Sequence, residues 1–237
     1  MSNELLILLS AAASIGFLHT LLGPDHYLPF IAMAKSGQWS LRKTSLVTLL
    51  CGTGHLLSSV LLGLLGITFG LAVSKLEVFD SFRGDLAAWG LLAFGMVYFI
   101  WGIKKALKNK PHDHDHSHSY GNNHTHSHVH TSEHLHVHAD TRNKKITPWI
   151  LFVIFFLGPC EPLIPLLMYP AAKNSLFALS LVTATFGIAT ILTMLGIVLT
   201  SIYSINFIPS IKFERYTHAI AGAIISFSGI SIIFLGL

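Results

Sequence analysis

Charge is what this sequence has least of. Of 237 residues, 15 are Lys or Arg and 11 are Asp or Glu, so only 11% are charged, against about 25% in soluble domains. With 52% hydrophobic residues and a mean hydropathy of +0.62, a large soluble core is excluded and an integral membrane protein is indicated. Cysteine is almost as scarce. Cys51 and Cys160 both lie in apolar stretches, which excludes a secreted disulfide framework. The start, Met-Ser-Asn-Glu, lacks the basic region of a cleavable signal peptide, so the first apolar run is read as a membrane helix. No motif of an ATP-binding module is present. The net charge of +4 belongs to loops and points to neither nucleic acid nor an enzyme.

Long apolar runs are what the chain does have. Six segments reach the roughly 20 residues needed to span a bilayer, near 4–34, 42–73, 85–107, 147–171, 175–203 and 214–237. Twelve Lys and Arg residues fall in the first, third and fifth connections, and three (Lys75, Arg83, Lys173) fall on the other side. The positive-inside rule then puts the odd connections in the cytoplasm and both termini outside. A bacterial or archaeal inner membrane is the expected location.

A shift of 135 residues aligns the two halves: Gly23-Pro24 with Gly158-Pro159, Ser45-Leu-Val-Thr48 with Ser180-Leu-Val-Thr183, and Gly52 with Gly187. Several matches at one offset indicate duplication. A unit of three helices re-enters the membrane from the opposite side. The expected fold is therefore an all-α integral membrane protein of six transmembrane helices in two inverted three-helix repeats, with helices 1 and 4 broken. Residues 1–107 form the first repeat, 108–146 a His-rich cytoplasmic loop, and 147–237 the second repeat.

Against this apolar background, His19-Thr-Leu-Leu-Gly-Pro-Asp25-His26 stands out, because imidazoles and a carboxylate at membrane depth are costly and rarely serve packing. In an unbroken helix His19 and His26 would stand about 10.5 Å apart along the axis, too far for one metal with bonds near 2 Å. The Gly23-Pro24 break is thus a condition of any shared site. His55, in Cys51-Gly-Thr-Gly-His55, is a further candidate ligand. Glu161 follows the second break as a ligand or proton acceptor, and Cys160 beside it is a candidate soft ligand. Each has a plainer alternative: hydrogen-bonded core histidines, a helix-capping carboxylate and a packing cysteine. Thr190, the repeat mate of His55, is read as a packing hydroxyl.

Between His112 and His138 lie eleven histidines, mostly alternating with Asp, Ser, Thr or Val. Such a tract cannot bury a core and is expected to lack order without a ligand. Imidazole suits Ni, Co, Cu and Zn, so cytoplasmic metal capture is the expected role.

The stretch Gly16-Phe-Leu-His19 to Asp25-His26 resembles the first-helix signature of the nickel/cobalt transporter superfamily, which includes permeases, efflux proteins and urease-associated membrane proteins. That signature has four residues between its His and Asp-His, and this chain has five. The glycine-flanked His55 resembles the family's second-helix histidine, and a His-rich loop is typical of its efflux branch. The resemblance implies a secondary transporter of divalent transition metals working by alternating access. Ni2+ or Co2+ would be the substrate, with Zn2+ and Cu2+ as further candidates and no prosthetic group. The metal-site residues would be His19, Asp25, His26, His55, Glu161 and Cys160. A metallochaperone or metal-enzyme maturation protein would be a fitting partner; direction, coupling ion and oligomeric state stay open. A second resemblance ranks below it. Gly158-Pro-Cys160-Glu-Pro-Leu-Ile-Pro165 is similar to the proline-flanked cysteine motifs of membrane thiol–disulfide electron carriers, which implies a carrier using Cys160. Those proteins take one cysteine from each half, whereas the repeat mate of Cys160 here is Asp25.

Overall fold

The computed structural model describes residues 3–70, 72–108, 112–116, 124–128, 143–160, 162–172, 175–206 and 214–235. The chain is a helical membrane bundle: α1 (Asn3–Leu22), α2 (Leu28–Ser36), α3 (Leu41–Thr68), α4 (Val73–Lys108), α5 (Asn143–Leu157), α6 (Leu163–Ala172), α7 (Leu176–Asn206) and α8 (Thr217–Leu235). Among the described residues, five helices are long and apolar enough to cross a membrane, within α1, α3, α4, α7 and α8. Many large apolar side chains face outward, Phe69, Trp89 and Leu192 among them. This is expected where the surrounding solvent is lipid.

Two breaks interrupt the bundle where Gly-Pro occurs. α1 stops at Leu22 because Pro24 has no N–H and its ring disfavours helical geometry in the residue before it. Gly23 is accordingly extended (φ −88°, ψ 94°). A single 3-10 turn, Pro24–His26, follows before α2 begins. At the second break α5 ends at Leu157, and the amide of Leu163 reaches back to the carbonyl of Cys160 at 2.9 Å as α6 starts. The fourth expected span is thus two short helices, of 15 and 10 residues, on either side of the expected break. α4 is the opposite case. Its 36 residues begin twelve positions before the expected start at 85, which takes Asp80 and Arg83 out of the loop and into the bundle.

The long helices pack in pairs, α4 on α8 and α1 on α7, while α3 lies against both α5 and α6. The α4–α8 pair is antiparallel and meets backbone to backbone. A Cβ on Gly95 would collide with the Ser226 amide, one on Gly102 with the Ala219 amide, and one on Gly222 with the Phe99 amide. Small residues permit such close approach of membrane helices. In the His-rich loop, β1 (His112–His116) and β2 (His124–His128) pair antiparallel, with His112 opposite His128 and His116 opposite His124. The strict two-residue alternation suits a strand, so these ten residues have the regular structure that composition alone argued against; the rest of the tract lies outside the described residues.

Candidate functional site

Three histidines meet at the first break. With α1 interrupted at Gly23, the ring of His26 turns back onto His19, and their centroids lie 4.7 Å apart. His55, on α3, approaches from the other side, 5.2 Å from His26. His26 and His55 are buried, each only 3% exposed. Each of the three rings offers a nitrogen within 4.8 Å of the other two.

Their hydrogen bonds decide what the rings present. His26 Nδ1 lies 3.2 Å from the Gly23 carbonyl and 3.1 Å from Asp25 Oδ1. His55 Nδ1 lies 3.3 Å from the Phe155 carbonyl, at the end of α5. Carbonyl and carboxylate oxygens only accept, so both Nδ1 atoms carry the proton and donate it. In a neutral ring the lone pair then sits on Nε2. The Nε2 atoms of His19, His26 and His55 are all buried with no hydrogen-bond partner. Buried acceptors without donors are rare and call for an explanation. An electrophile shared between them is a direct one.

The group fits a metal of the imidazole-binding kind. Ligand nitrogens in a tetrahedral site with bonds near 2.0–2.1 Å stand about 3.4 Å apart, so an ion would draw these rings together by roughly an ångström. Asp25 is not in the ligand group. It holds His26 through Nδ1, the carboxylate–histidine arrangement that fixes tautomer and ring direction.

A cavity of about 370 Å³ opens beside the rings. Asp25 and the three histidines form one wall, Ser81, Gly84 and Asp85 of α4 another, and Phe155, Gly158 and Pro159 at the second break a third. The two Gly-Pro breaks therefore face one chamber. Of the residues singled out from sequence, the fold brings together His19, Asp25, His26 and His55. Cys160 is fully buried, packed with Leu163, Leu167 and Phe186 rather than joined to the histidines. Its amide donates to Ser59 Oγ at 3.1 Å. Thr190 is buried where α7 crosses Gly16. Glu161 lies outside the described residues. Sequence reading missed Asp80 and Arg83, whose ion pair at 2.9 Å is buried beside this chamber. Their i, i+3 spacing was the available signal.

Comparison with known proteins corrects the family and the function drawn from the first resemblance. The model of the cytochrome c biogenesis protein transmembrane region matches residues 28–237. No curated protein and no solved structure is matched. The nickel/cobalt transporter assignment, and the nickel or cobalt transport it implied, are overturned by that match. The physical reason is visible in the residues. The transporter resemblance rested mainly on residues 16–26, one short motif with an extra residue between His19 and Asp25, and that motif lies before the matched segment. Imidazoles around a broken helix report a polar site in a membrane, whatever the ancestry of the bundle that carries it. The matched segment covers seven of the eight helices and both cysteines, and the chain belongs to the cytochrome c biogenesis protein transmembrane region family.

Proposed function

We propose that the chain is a membrane thiol–disulfide carrier of the cytochrome c biogenesis class, with Cys160 as its redox-active thiol. The family match over residues 28–237 carries this reading. The setting of Cys160 supports it. The residue follows a helix break and stands just before α6, its carbonyl accepting the amide of Leu163, the first residue of that helix. Cys51 is not its internal partner in this arrangement. Ser59, which holds the Cys160 amide, lies eight residues beyond Cys51 on α3, about 12 Å along the axis. Disulfides need Cα atoms within about 7 Å.

The second thiol therefore comes from a partner. The Cys160 thiolate attacks an acceptor disulfide, forming a mixed disulfide and releasing one acceptor thiol. A donor dithiol then attacks Cys160 sulfur and frees the second acceptor thiol. The donor's remaining thiol resolves that bond, restoring Cys160 and leaving the donor oxidised. Two electrons pass from donor to acceptor. Vesicles carrying the protein, supplied with a reduced dithiol protein and a disulfide reporter together, test this directly. Wild type should reduce the reporter and Cys160→Ser should not; an undiminished rate in Cys160→Ser removes the proposal.

A second reading of the first break has its own observation, the three buried Nε2 atoms without partners. His19, His26 and His55 would hold a divalent first-row ion, with Asp25 orienting His26. Imidazole-rich sites favour such ions over Mg or Ca. The ion would contribute positive charge and Lewis acidity at the chamber wall.

The two-unit architecture is also supported. Helix α1 packs on α7 and α3 on α5 and α6, the pattern expected when each unit's broken helix lies against the second helix of the other. Placing the His-rich loop in the cytoplasm gains support too, since burial of Arg83 removes one of the few cations counted on the opposite side.

A further inference from the structure

Asp80 and Arg83 have no part in either reading above, yet they are 1% and 9% exposed inside the bundle. Charges at this depth are kept where they serve a purpose. What these two hold is the cut end of α5. The carbonyls of a helix's last turn have no donor of their own, and in hydrocarbon each costs several kcal/mol unless met. Arg83 meets one of them and the first carbonyl beyond the helix. Its Nη2 donates to the Phe156 carbonyl at 3.2 Å and to that of Gly158 at 3.4 Å. The same nitrogen reaches Ser58 Oγ at 2.7 Å, and Nη1 is bound to Asp80 Oδ1 at 2.9 Å. Ser58 donates in turn to the His55 carbonyl at 2.8 Å. The neighbouring carbonyl, that of Phe155, is the one that orients the His55 ring. Next to Ser58, Ser59 accepts the Cys160 amide. Pro159 is pressed against Gly84, where a Cβ would lie 2.8 Å from Pro159 Cγ.

One guanidinium thus ties α4, α3 and the last turn of α5 at a single point. The ring of His55 is aimed from one side of that point, and the backbone runs from the other side straight to Cys160. We propose that Arg83, with Asp80 as its counter-ion, is a positioning residue for both sites. It fixes the second break so that His55 turns Nε2 toward the other imidazoles and Cys160 stays seated on α3. Lysine is a poor substitute, because a single ammonium lacks the planar fork that spans a carboxylate, a hydroxyl and two carbonyls. The proposal deepens the two readings above and rests on them, one for each half of its test.

The test uses the full chain, purified in detergent in a Cys51→Ser background, with Arg83→Gln, Arg83→Lys and Ser58→Ala. One readout is Co(II) titration followed by visible absorption, with cobalt as a spectroscopic probe. The other is the rate of Cys160 alkylation by a maleimide. Arg83→Gln should weaken Co(II) binding by about 10–100-fold, as loss of an outer partner does. It should also speed alkylation by roughly tenfold or more, the change expected on losing one charged hydrogen bond. Arg83→Lys should fall between, and Ser58→Ala should move both readouts less, in the same direction. If Arg83→Gln does not fold, the other two variants carry the test. Wild-type values for both readouts in Arg83→Lys and Ser58→Ala overturn the proposal. A change in one readout alone overturns the claim that one latch serves both sites. Absence of Co(II) binding in the parent removes the metal reading only, and the alkylation rates still decide whether Arg83 seats Cys160.

Discussion

The seam between α4 and α8 gives a prediction whose size and sign can both be worked out. Gly95 faces the backbone amide of Ser226, and Gly222, across the same crossing, faces the amide of Phe99 and, at 2.8 Å from an added Cβ, the carbonyl of Gly95. The obstructing atoms are main chain, so no side chain can swing aside and the helices themselves must separate. Overpacking costs about 1–3 kcal/mol in general, and an unyielding neighbour puts Gly95→Ala and Gly222→Ala near the top of that range. Both substitutions push on one crossing. Once either has parted the helices, the other finds the space already open, so the double variant should cost little more than one alone, well short of additive. Gly196 on α7 is the control: nothing lies within 4 Å of a Cβ there, so Gly196→Ala should gain roughly 0.5–1 kcal/mol from helix propensity. Thermal unfolding of the four purified variants, followed by exposure of buried thiols, measures all of this. Additive losses in the double variant, or losses under about 0.5 kcal/mol in the singles, would refute the reasoning. The seam also bears on the site, because α4 supplies Ser81, Gly84 and Asp85 to the chamber and α8 supplies Ile232 and Ile233.

Two further outcomes are expected. Asp25→Asn should weaken Co(II) binding by about 10–100-fold while His55→Ala weakens it more, because the first loses an orienting partner and the second a ligand; isothermal titration of both against the parent gives the order, and equal losses would mean that Asp25 is itself a ligand. Cys51→Ser should keep most of the thiol–disulfide exchange measured in vesicles, since Cys51 lies about 12 Å along α3 from the seat of Cys160; a complete loss would show that the two cysteines pair in another conformation.

Much of the candidate site was legible because backbone chemistry is local. Gly23-Pro24 announces a break, and helix geometry then makes the break a condition for His19 and His26 to meet, as they do. That His55 would join them follows from the contact of α3 with the two breaks, which no local spacing encodes. The fourth span was legible as a break at Gly158-Pro159 but not as two helices of their final lengths. Arg83 was misread because a window of hydropathy treats any charge as a loop signal. Asp80 and Arg83, one helical turn apart, neutralise each other and go inside together. The family was legible at Gly158-Pro-Cys160-Glu-Pro-Leu-Ile-Pro165 but ranked second, because Cys160 has no cysteine as its repeat mate. The polar motif at His19–His26 outweighed that one cysteine motif, whereas the match over residues 28–237 is spread across a largely apolar pattern that short motifs sample poorly.

The chamber between the breaks has a consequence for how so polar a wall survives at membrane depth. A volume of about 370 Å³ corresponds to on the order of ten waters at roughly 30 Å³ each. Asp85 and the exposed edge of Asp25 then have room for hydration, which would offset part of the insertion penalty expected for such groups, while the three Nε2 atoms stay shielded from it. Such room would let an ion there keep a water on its open side, and would let a proton or a small solute reach the breaks through solvent. Each Gly-Pro step removes a turn of helix from the wall, and what it leaves behind is room for water.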